Sequence, residues 1–256
     1  MFNVFGTSLG ILVNGTKAFI SGGGESDCYV VMVRTGGTGP KGITCLVIEK
    51  DSPGLSFGKK ERKLGWNSQP TAALIMEDCK VPVTNLVGEE GKGFNYAMLG
   101  INGGRLNIAA CSLGGAQWAM EEAIRYTGER KQFKQELIRF QNIQFQLASL
   151  ASELFGSRLI LRAAAKHYDE ELTGSSGISG VDNSHIPTPQ VCAAGKLFVT
   201  EKCYQIIDAC LQMHGGYGYL KDFPVQQLLR DTRVHRILEG TNEVMQMIIS
   251  RAFIQK

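Results

Sequence analysis

The spacing of apolar positions changes character once along the chain. From Ile11 to about Pro82, short β-branched runs alternate with turn residues: Ala18-Phe19-Ile20, Cys28-Tyr29-Val30-Val31-Met32-Val33 and Ile43-Thr44-Cys45-Leu46-Val47-Ile48. Between them lie Gly22-Gly23-Gly24 and Gly36-Gly37-Thr38-Gly39-Pro40-Lys41-Gly42. Glycine tolerates positive φ and proline presets a turn, so this stretch predicts antiparallel strands joined by tight reversals. Gly37, Gly39 and Gly42 have the spacing of a dinucleotide fingerprint, but Pro40 interrupts it and a strand follows. The segment therefore reads as a hairpin connection, because a phosphate loop needs a helix there.

Beyond Gly91 the period becomes that of long helices. One is expected from about Gly93 to Gly128. A second carries Ile143, Leu147, Leu150, Leu154 and Leu161 on one stripe. A third covers about Pro189 to His214 with Val191, Ala194, Phe198, Ile206, Cys210 and Met213 inward, and a last runs from Thr241 to Phe253 with Val244, Met247 and Ile248 inward. Such stripes are covered most simply by one another, which predicts an antiparallel four-helix bundle. The fold class expected is α+β: a β-domain over residues 1–86 followed by a helical bundle over 87–256. The Gly-, Ser- and Pro-rich stretch from Thr173 to Pro189 predicts a mobile loop between the second and third helices. No heptad run stands out.

Composition narrows the function. The 256 residues are 43% hydrophobic and 20% charged, a globular balance that excludes disorder and fibrous repeats. A chain of this size buries roughly 70–75% of its unfolded surface, enough to need no disulfide or metal staple. With 27 Lys and Arg against 24 Asp and Glu, the net charge of +3 does not suggest a nucleic-acid partner. Lys59-Lys60-Glu61-Arg62-Lys63 reads as a solvated turn. Seven cysteines without a Cys-x-x-Cys pair predict free buried thiols in a reducing compartment. The four histidines show no metal-binding spacing, so no metal is expected. The N-terminus has no basic residue before Lys17, unlike a secretory signal or transit peptide, and no run of about 20 apolar residues predicts a membrane span.

Three places could carry chemistry. Thr241 is a good helix N-cap, and Glu239 projects a carboxylate from the corner before it, with Arg233, His235 and Arg236 upstream. By position alone Glu239 reads as a capping or ion-paired residue rather than as a base. Gln212-Met213-His214-Gly215-Gly216 ends the third helix on paired glycines, which suit either a C-cap or close approach to a ligand. Arg130-Lys131-Gln132-Phe133 closes the first helix, where a basic residue also suits the negative helix end.

In order, Asn14-Gly15-Thr16-Lys17-Ala18-Phe19-Ile20-Ser21, Asn102-Gly103-Gly104-Arg105, Arg130-Lys131-Gln132-Phe133, Gln212-Met213-His214-Gly215-Gly216-Tyr217-Gly218 and Ile237-Leu238-Glu239-Gly240-Thr241-Asn242-Glu243 resemble the acyl-CoA dehydrogenase family from about Ile11 onward. The resemblance implies an FAD enzyme that oxidises a short branched-chain acyl-CoA, such as isobutyryl-CoA in valine breakdown, to the enoyl-CoA. It implies Glu239 as the catalytic base, with Asn102, Arg105 and Gly240 at the substrate. Phe19 and Ser21 would contact the flavin, and Thr241 and Glu243 its diphosphate and adenosine part. Arg130, Gln132 and Phe133, with Gln212, Gly215 and Gly216, would grip FAD across a subunit boundary, implying a homo-oligomer, usually a tetramer.

Electron-transfer flavoprotein as partner and the mitochondrial matrix as location follow from the same resemblance. Isovaleryl and long-chain members place their base beside the arginine of the first bundle helix; here Gly104 occupies that place, which favours Glu239. Lys134 stands where the family usually has glycine. The family's helical N-terminal domain and its Thr-Glu-Pro flavin loop have no counterpart in this sequence, so a truncated, non-catalytic oligomerising fragment is the alternative expectation.

Overall fold

The computed structural model describes residues 2–5, 8–174 and 186–254. The chain divides into two compact units, Met1–Gly100 and Ile101–Lys256.

The first unit is built on strands β1 (Phe2–Phe5), β2 (Ser8–Ser21), β3 (Cys28–Arg34), β4 (Ile43–Glu49), β5 (Leu55–Phe57) and β6 (Thr71–Pro82). β1, β2, β6 and β5 form an antiparallel sheet in that order, and β3 pairs with β4 in a hairpin, as the glycine-rich connection predicted. Alternation places Ala72, Leu74 and Met76 of β6 inward, yet Cys79 and Val81 are inward too, so the phase slips by one residue at Glu77-Asp78. A bulge absorbs the slip. Asp78 has φ 48°, the register shifts between Val13 and Gly15, and Asn14 exchanges two hydrogen bonds with Asp78, at 2.8 and 3.0 Å. Ile11, Val31, Leu46, Ile48, Leu74 and Val81 are core members, each side chain contributing about 1.5–3 kcal/mol by burial. Tyr29 donates its hydroxyl to Gly22 O at 3.1 Å and accepts from Gly24 N at 2.9 Å, which fixes the triple-glycine turn.

The second unit is helical. α1 (Gly93–Glu129), whose residues from Ile101 onward belong here, leads into a two-residue hairpin of β7 (Lys131–Gln132) and β8 (Gln135–Glu136). Then come α2 (Gln141–Thr173), α3 (Thr188–Met213), α4 (Val225–Thr232) and α5 (Asn242–Ile254). The expected loop begins after Gly174, and residues 175–185 lie outside the described residues. Among the described residues there are thus five α-helices, one more than expected; α4 is only eight residues long and lies between two 3-10 turns. No helix among the described residues is long and apolar enough to cross a membrane.

The core of this unit joins α1, α2 and α3. α1 presents Leu106, Ala109, Leu113, Ala116, Met120 and Ala123, a three-four spacing that the sequence hides because half of these positions are alanine. α2 buries Leu154 and Leu161 as expected. α3 corrects the prediction. Its buried stripe is Cys192, Lys196, Val199, Cys203, Ile206, Cys210 and Met213, while Ala194 and Phe198 face out. The stripe contains a lysine, and reading apolar residues alone moves its first half off the true face. In α5, Asn242 and Met245 are buried while Met247 is exposed, for the same reason: a polar side chain holds an inward position. Five of the seven cysteines are buried free thiols, but Cys28 and Cys111 are exposed.

Candidate active site

The corner before α5 is a constrained piece of backbone. After α4 a 3-10 turn spans Arg233–Arg236, and the chain reverses through two consecutive left-handed residues, Glu239 at φ 57° and Gly240 at φ 91°. Gly240 takes this geometry freely. Glu239 bears a Cβ, so the same conformation costs it about 1–2 kcal/mol and persists only where surroundings enforce it. Thr241 then caps α5, its hydroxyl accepting from Val244 N at 3.4 Å, as the sequence predicted.

The enforcement comes from two helices. Arg105 of α1 is buried; its Nε donates to the Glu239 carbonyl at 3.3 Å and its Nη1 to Asn102 Oδ1, one turn earlier, at 3.0 Å. Lys196 of α3 is fully buried and donates from Nζ to the Gly240 carbonyl at 2.9 Å and to Asn242 Oδ1 at 2.7 Å. Asn242 in turn donates from Nδ2 to Thr200 Oγ1 at 3.1 Å and to Glu201 Oε1 at 2.7 Å. Glu201 also accepts from Arg236 Nε at 2.8 Å, and the Arg236 guanidinium lies 5.2 Å from the Tyr204 ring centroid.

The Glu239 carboxylate rests against the α1 backbone. A Cβ added at Gly104 would lie 2.5 Å from Glu239 Oε2, so a glycine is what lets the acid occupy this place. Burial raises the proton affinity of Glu239 above the ordinary carboxylate value, while Arg105 and Lys196 pull it back down. Burial lowers the Lys196 ammonium to about 8. Behind the corner, buried His235 lies 2.8 Å from Ser112 Oγ, and burial depresses its pKa to about 4. This arrangement presents one half-buried carboxylate, biased towards taking a proton, beside two cations that hold its own carbonyl and that of Gly240.

Of the residues singled out in the sequence, Glu239, Gly240, Asn102 and Arg105 are brought together here. Thr241 and Glu243 sit at the start of α5. Glu243 is exposed, and its own backbone N–H and the Thr241 hydroxyl hold its carboxylate below the usual range. A second group, Arg130, Gln132, Gln212, Gly215 and Gly216, lines a separate cavity of about 480 Å³. At its wall His214 Nδ1 donates to Cys210 O at 2.8 Å, and the buried Nε2 has no hydrogen-bond partner among the described residues. Gly215 and Gly216 are exposed, with no atom within 4 Å of where a Cβ would stand.

Phe133 does not line that cavity. It occupies the turn of the β7–β8 hairpin, 86% exposed, with Phe133 at φ 51° and Lys134 at φ 69°. The segment expected to close the first helix therefore forms this hairpin after Glu129. Phe19 and Ser21 belong to the β-unit: Phe19 has φ 56° at a register shift of β2 and is 76% exposed, and Ser21 is exposed. The sequence reading missed Lys196, Thr200, Glu201 and Asn242. The signal available was for Lys196, a charged residue at a four-three position of an otherwise apolar stripe.

Comparison with known proteins agrees with this organisation. Family models for the acyl-CoA dehydrogenase middle domain and C-terminal domain match residues 6–79 and 91–254. The chain is 56% identical over 245 residues to a mitochondrial isobutyryl-CoA dehydrogenase of Bos taurus, covering 96% of this chain and 56% of that protein. It spans little more than half the length of this relative. Among solved structures, butyryl-CoA dehydrogenase of Megasphaera elsdenii matches with a TM-score of 0.86 and 35% identity, over 95% of this chain and 60% of that one. An acyl-CoA dehydrogenase of Bacillus anthracis, complexed with FAD, matches with a TM-score of 0.82 and 30% identity, over 96% and 43%.

Proposed function

Because this chain is a member of the acyl-CoA dehydrogenase family, we propose that it provides the proton-abstracting half of an FAD-dependent dehydrogenase for a short branched-chain acyl-CoA, isobutyryl-CoA, with Glu239 as the base. The observation that carries the reading is the half-buried Glu239 carboxylate seated on Gly104, its proton affinity raised by burial.

The cavity of the helical unit suits part of a dinucleotide cofactor. It offers the exposed backbone of Gly215 and Gly216, the Arg130 cation and the unpartnered His214 Nε2. In this reading Phe19 and Ser21 contact the flavin, Thr241 and Glu243 its diphosphate and adenosine part, and Arg130, Gln132, Phe133, Gln212, Gly215 and Gly216 grip FAD across a subunit boundary. When bound, FAD supplies the acceptor for the hydride lost from the β-carbon. Glu239 takes the α-proton, and the C–H electron pair left behind becomes the new α,β double bond. The Glu239 backbone N–H is available to the thioester oxygen, where it stabilises charge that develops as the proton leaves. Arg105 and Asn102 keep the base aimed. The choice of isobutyryl-CoA and the mitochondrial matrix are supported by the likeness to the bovine enzyme; electron-transfer flavoprotein as acceptor and a homotetramer complete the proposal.

The test is the visible spectrum of the purified chain supplied with FAD. Bound flavin should absorb in the blue and be bleached by isobutyryl-CoA without oxygen, and Glu239→Gln should keep the colour but lose the bleaching. Bleaching of that variant at the unmodified rate would remove Glu239 from the reaction. A chain that takes up no FAD would favour the non-catalytic, oligomerising alternative.

A further inference from the structure

Two successive carbonyls, those of Glu239 and Gly240, are each held by a buried cation from a different helix: Arg105 of α1 at 3.3 Å and Lys196 of α3 at 2.9 Å. The arginine was legible in the sequence. The lysine was not, and its position is unusual. It replaces an apolar residue in the middle of the stripe Cys192, Val199, Cys203, Ile206, and it is fully buried. Burying an ammonium is expensive unless it is paired and hydrogen-bonded. A methionine at this position would satisfy the packing of α3 without that penalty.

We infer that Lys196 is a positioning residue for proton abstraction: it ties the Gly240 carbonyl to the Asn242 side chain and so holds Glu239 in its left-handed conformation with the carboxylate over Gly104. This rests on the proposed role of Glu239 as base. A left-handed residue with a Cβ endures only where its neighbours over-determine it, and here the enforcement is visible. Lys196 bonds the residue after Glu239, and Asn242 links the same ammonium to the first turn of α5. Thr200, one turn along α3, donates to the Lys196 carbonyl at 2.8 Å and accepts from Asn242, so the amide cannot turn its oxygen away from the lysine without losing bonds. The base, the reversal and the helix start are thereby fixed to α3 as one piece.

The lysine also acts on the base through its field. The charged groups around it are Arg105 from α1, Glu201 from α3, Glu239 before α5 and Glu243 within it, with His235 in the preceding turn. Lys196 and Arg105 both favour the ionised carboxylate of Glu239 against burial. Loss of the lysine should therefore loosen the corner and raise the proton affinity of the base together.

The test begins with the unmodified chain. A carbon-13 titration of the Glu239 carboxyl should show its own step and a second, smaller one near pH 8, where Lys196, lowered to about 8, loses its proton. Absence of a second step at any pH at which the chain stays folded would mean that the ammonium does not sit beside the base, and overturns the inference without any variant. In Lys196→Met that step should vanish and the Glu239 step should move to higher pH. In the FAD-loaded protein the rate of bleaching by isobutyryl-CoA should fall roughly tenfold to a hundredfold, the range expected when a reacting group is displaced by about an ångström. Its acid limb should shift to higher pH, and the substrate concentration for half-maximal rate should change far less.

A folded Lys196→Met whose rate and acid limb stay within about twofold of the original overturns the positioning role while leaving Glu239 as base. Should that variant fail to fold, the titration of the unmodified chain still decides. If Glu239→Gln bleaches normally, the base assignment fails and this inference fails with it.

Discussion

The carboxylate of Glu239 lies so close to the α-carbon of Gly104 that a methyl group there would stand 2.5 Å from Oε2. The two residues are 135 positions apart, yet each explains the other. A glycine within α1 destabilises a helix by roughly 0.5–1 kcal/mol relative to alanine. What it provides is room for the acid. Gly104→Ala should therefore separate stability from chemistry. The displaced group is the end of a flexible side chain, so the thermal midpoint should hold or rise, while flavin reduction by isobutyryl-CoA should fall at least about tenfold. A variant as fast as the parent in stopped-flow measurements would show that the acid does not react from this seat.

The raised proton affinity of Glu239 gives a signed pH dependence. As a base the group must be ionised, so the rate should fall on the acid side at a pH above the ordinary carboxylate value. Stability runs the opposite way. In that window the folded chain holds a proton that the unfolded chain has lost, so stability declines as pH rises from the unfolded value through the folded one. Glu239→Gln removes this penalty. It should be more stable than the parent at neutral pH, and the difference should shrink as pH falls below the ordinary carboxylate range, as urea midpoints across pH would show.

The sequence was most informative where one period ran unbroken. The paired strands β3 and β4 and the stripe of Leu154 and Leu161 were visible because each obeys a single rule. Glu239 and Arg105 were found through the motifs around them. The phase slip at Asp78 was hidden because it needs a partner, Asn14, 64 residues away. Lys196 and Asn242 were hidden because they are polar residues in apolar positions, justified by each other at 2.7 Å and by their bonds to Gly240, Thr200 and Glu201. Local pattern does not report such pairs: neither member looks buried until the other is placed beside it.

The β7–β8 turn offers a gain in stability away from Glu239. Phe133 and Lys134 both have positive φ in a two-residue hairpin, the geometry that favours glycine at the second turn position. Lys134 is exposed, so relief of its strain is opposed mainly by the greater freedom of glycine in the unfolded chain. Lys134→Gly should stabilise the chain by about 0.5–1 kcal/mol, read from the urea midpoint at unchanged slope. A loss of stability would mean that the lysine side chain supports the hairpin in a way the backbone geometry does not suggest.

His235 sets an acid limit on the same corner. Its pKa is depressed to about 4, first by burial and then by Lys196, with Asp231 opposing. The unfolded chain therefore takes up a proton here, near the ordinary histidine value of about 6.5, before the folded chain does. The stability tied to the neutral ring is complete above the unfolded value and is lost as pH falls through about 4. A shift of this size corresponds to an amount on the order of 3 kcal/mol. His235→Gln keeps a polar group near Ser112 Oγ but cannot be protonated. Its stability should fall less steeply than the parent's between neutral pH and pH 4, so the two chemical-denaturation curves should converge on acidification. Parallel curves would place the acid sensitivity of the chain elsewhere.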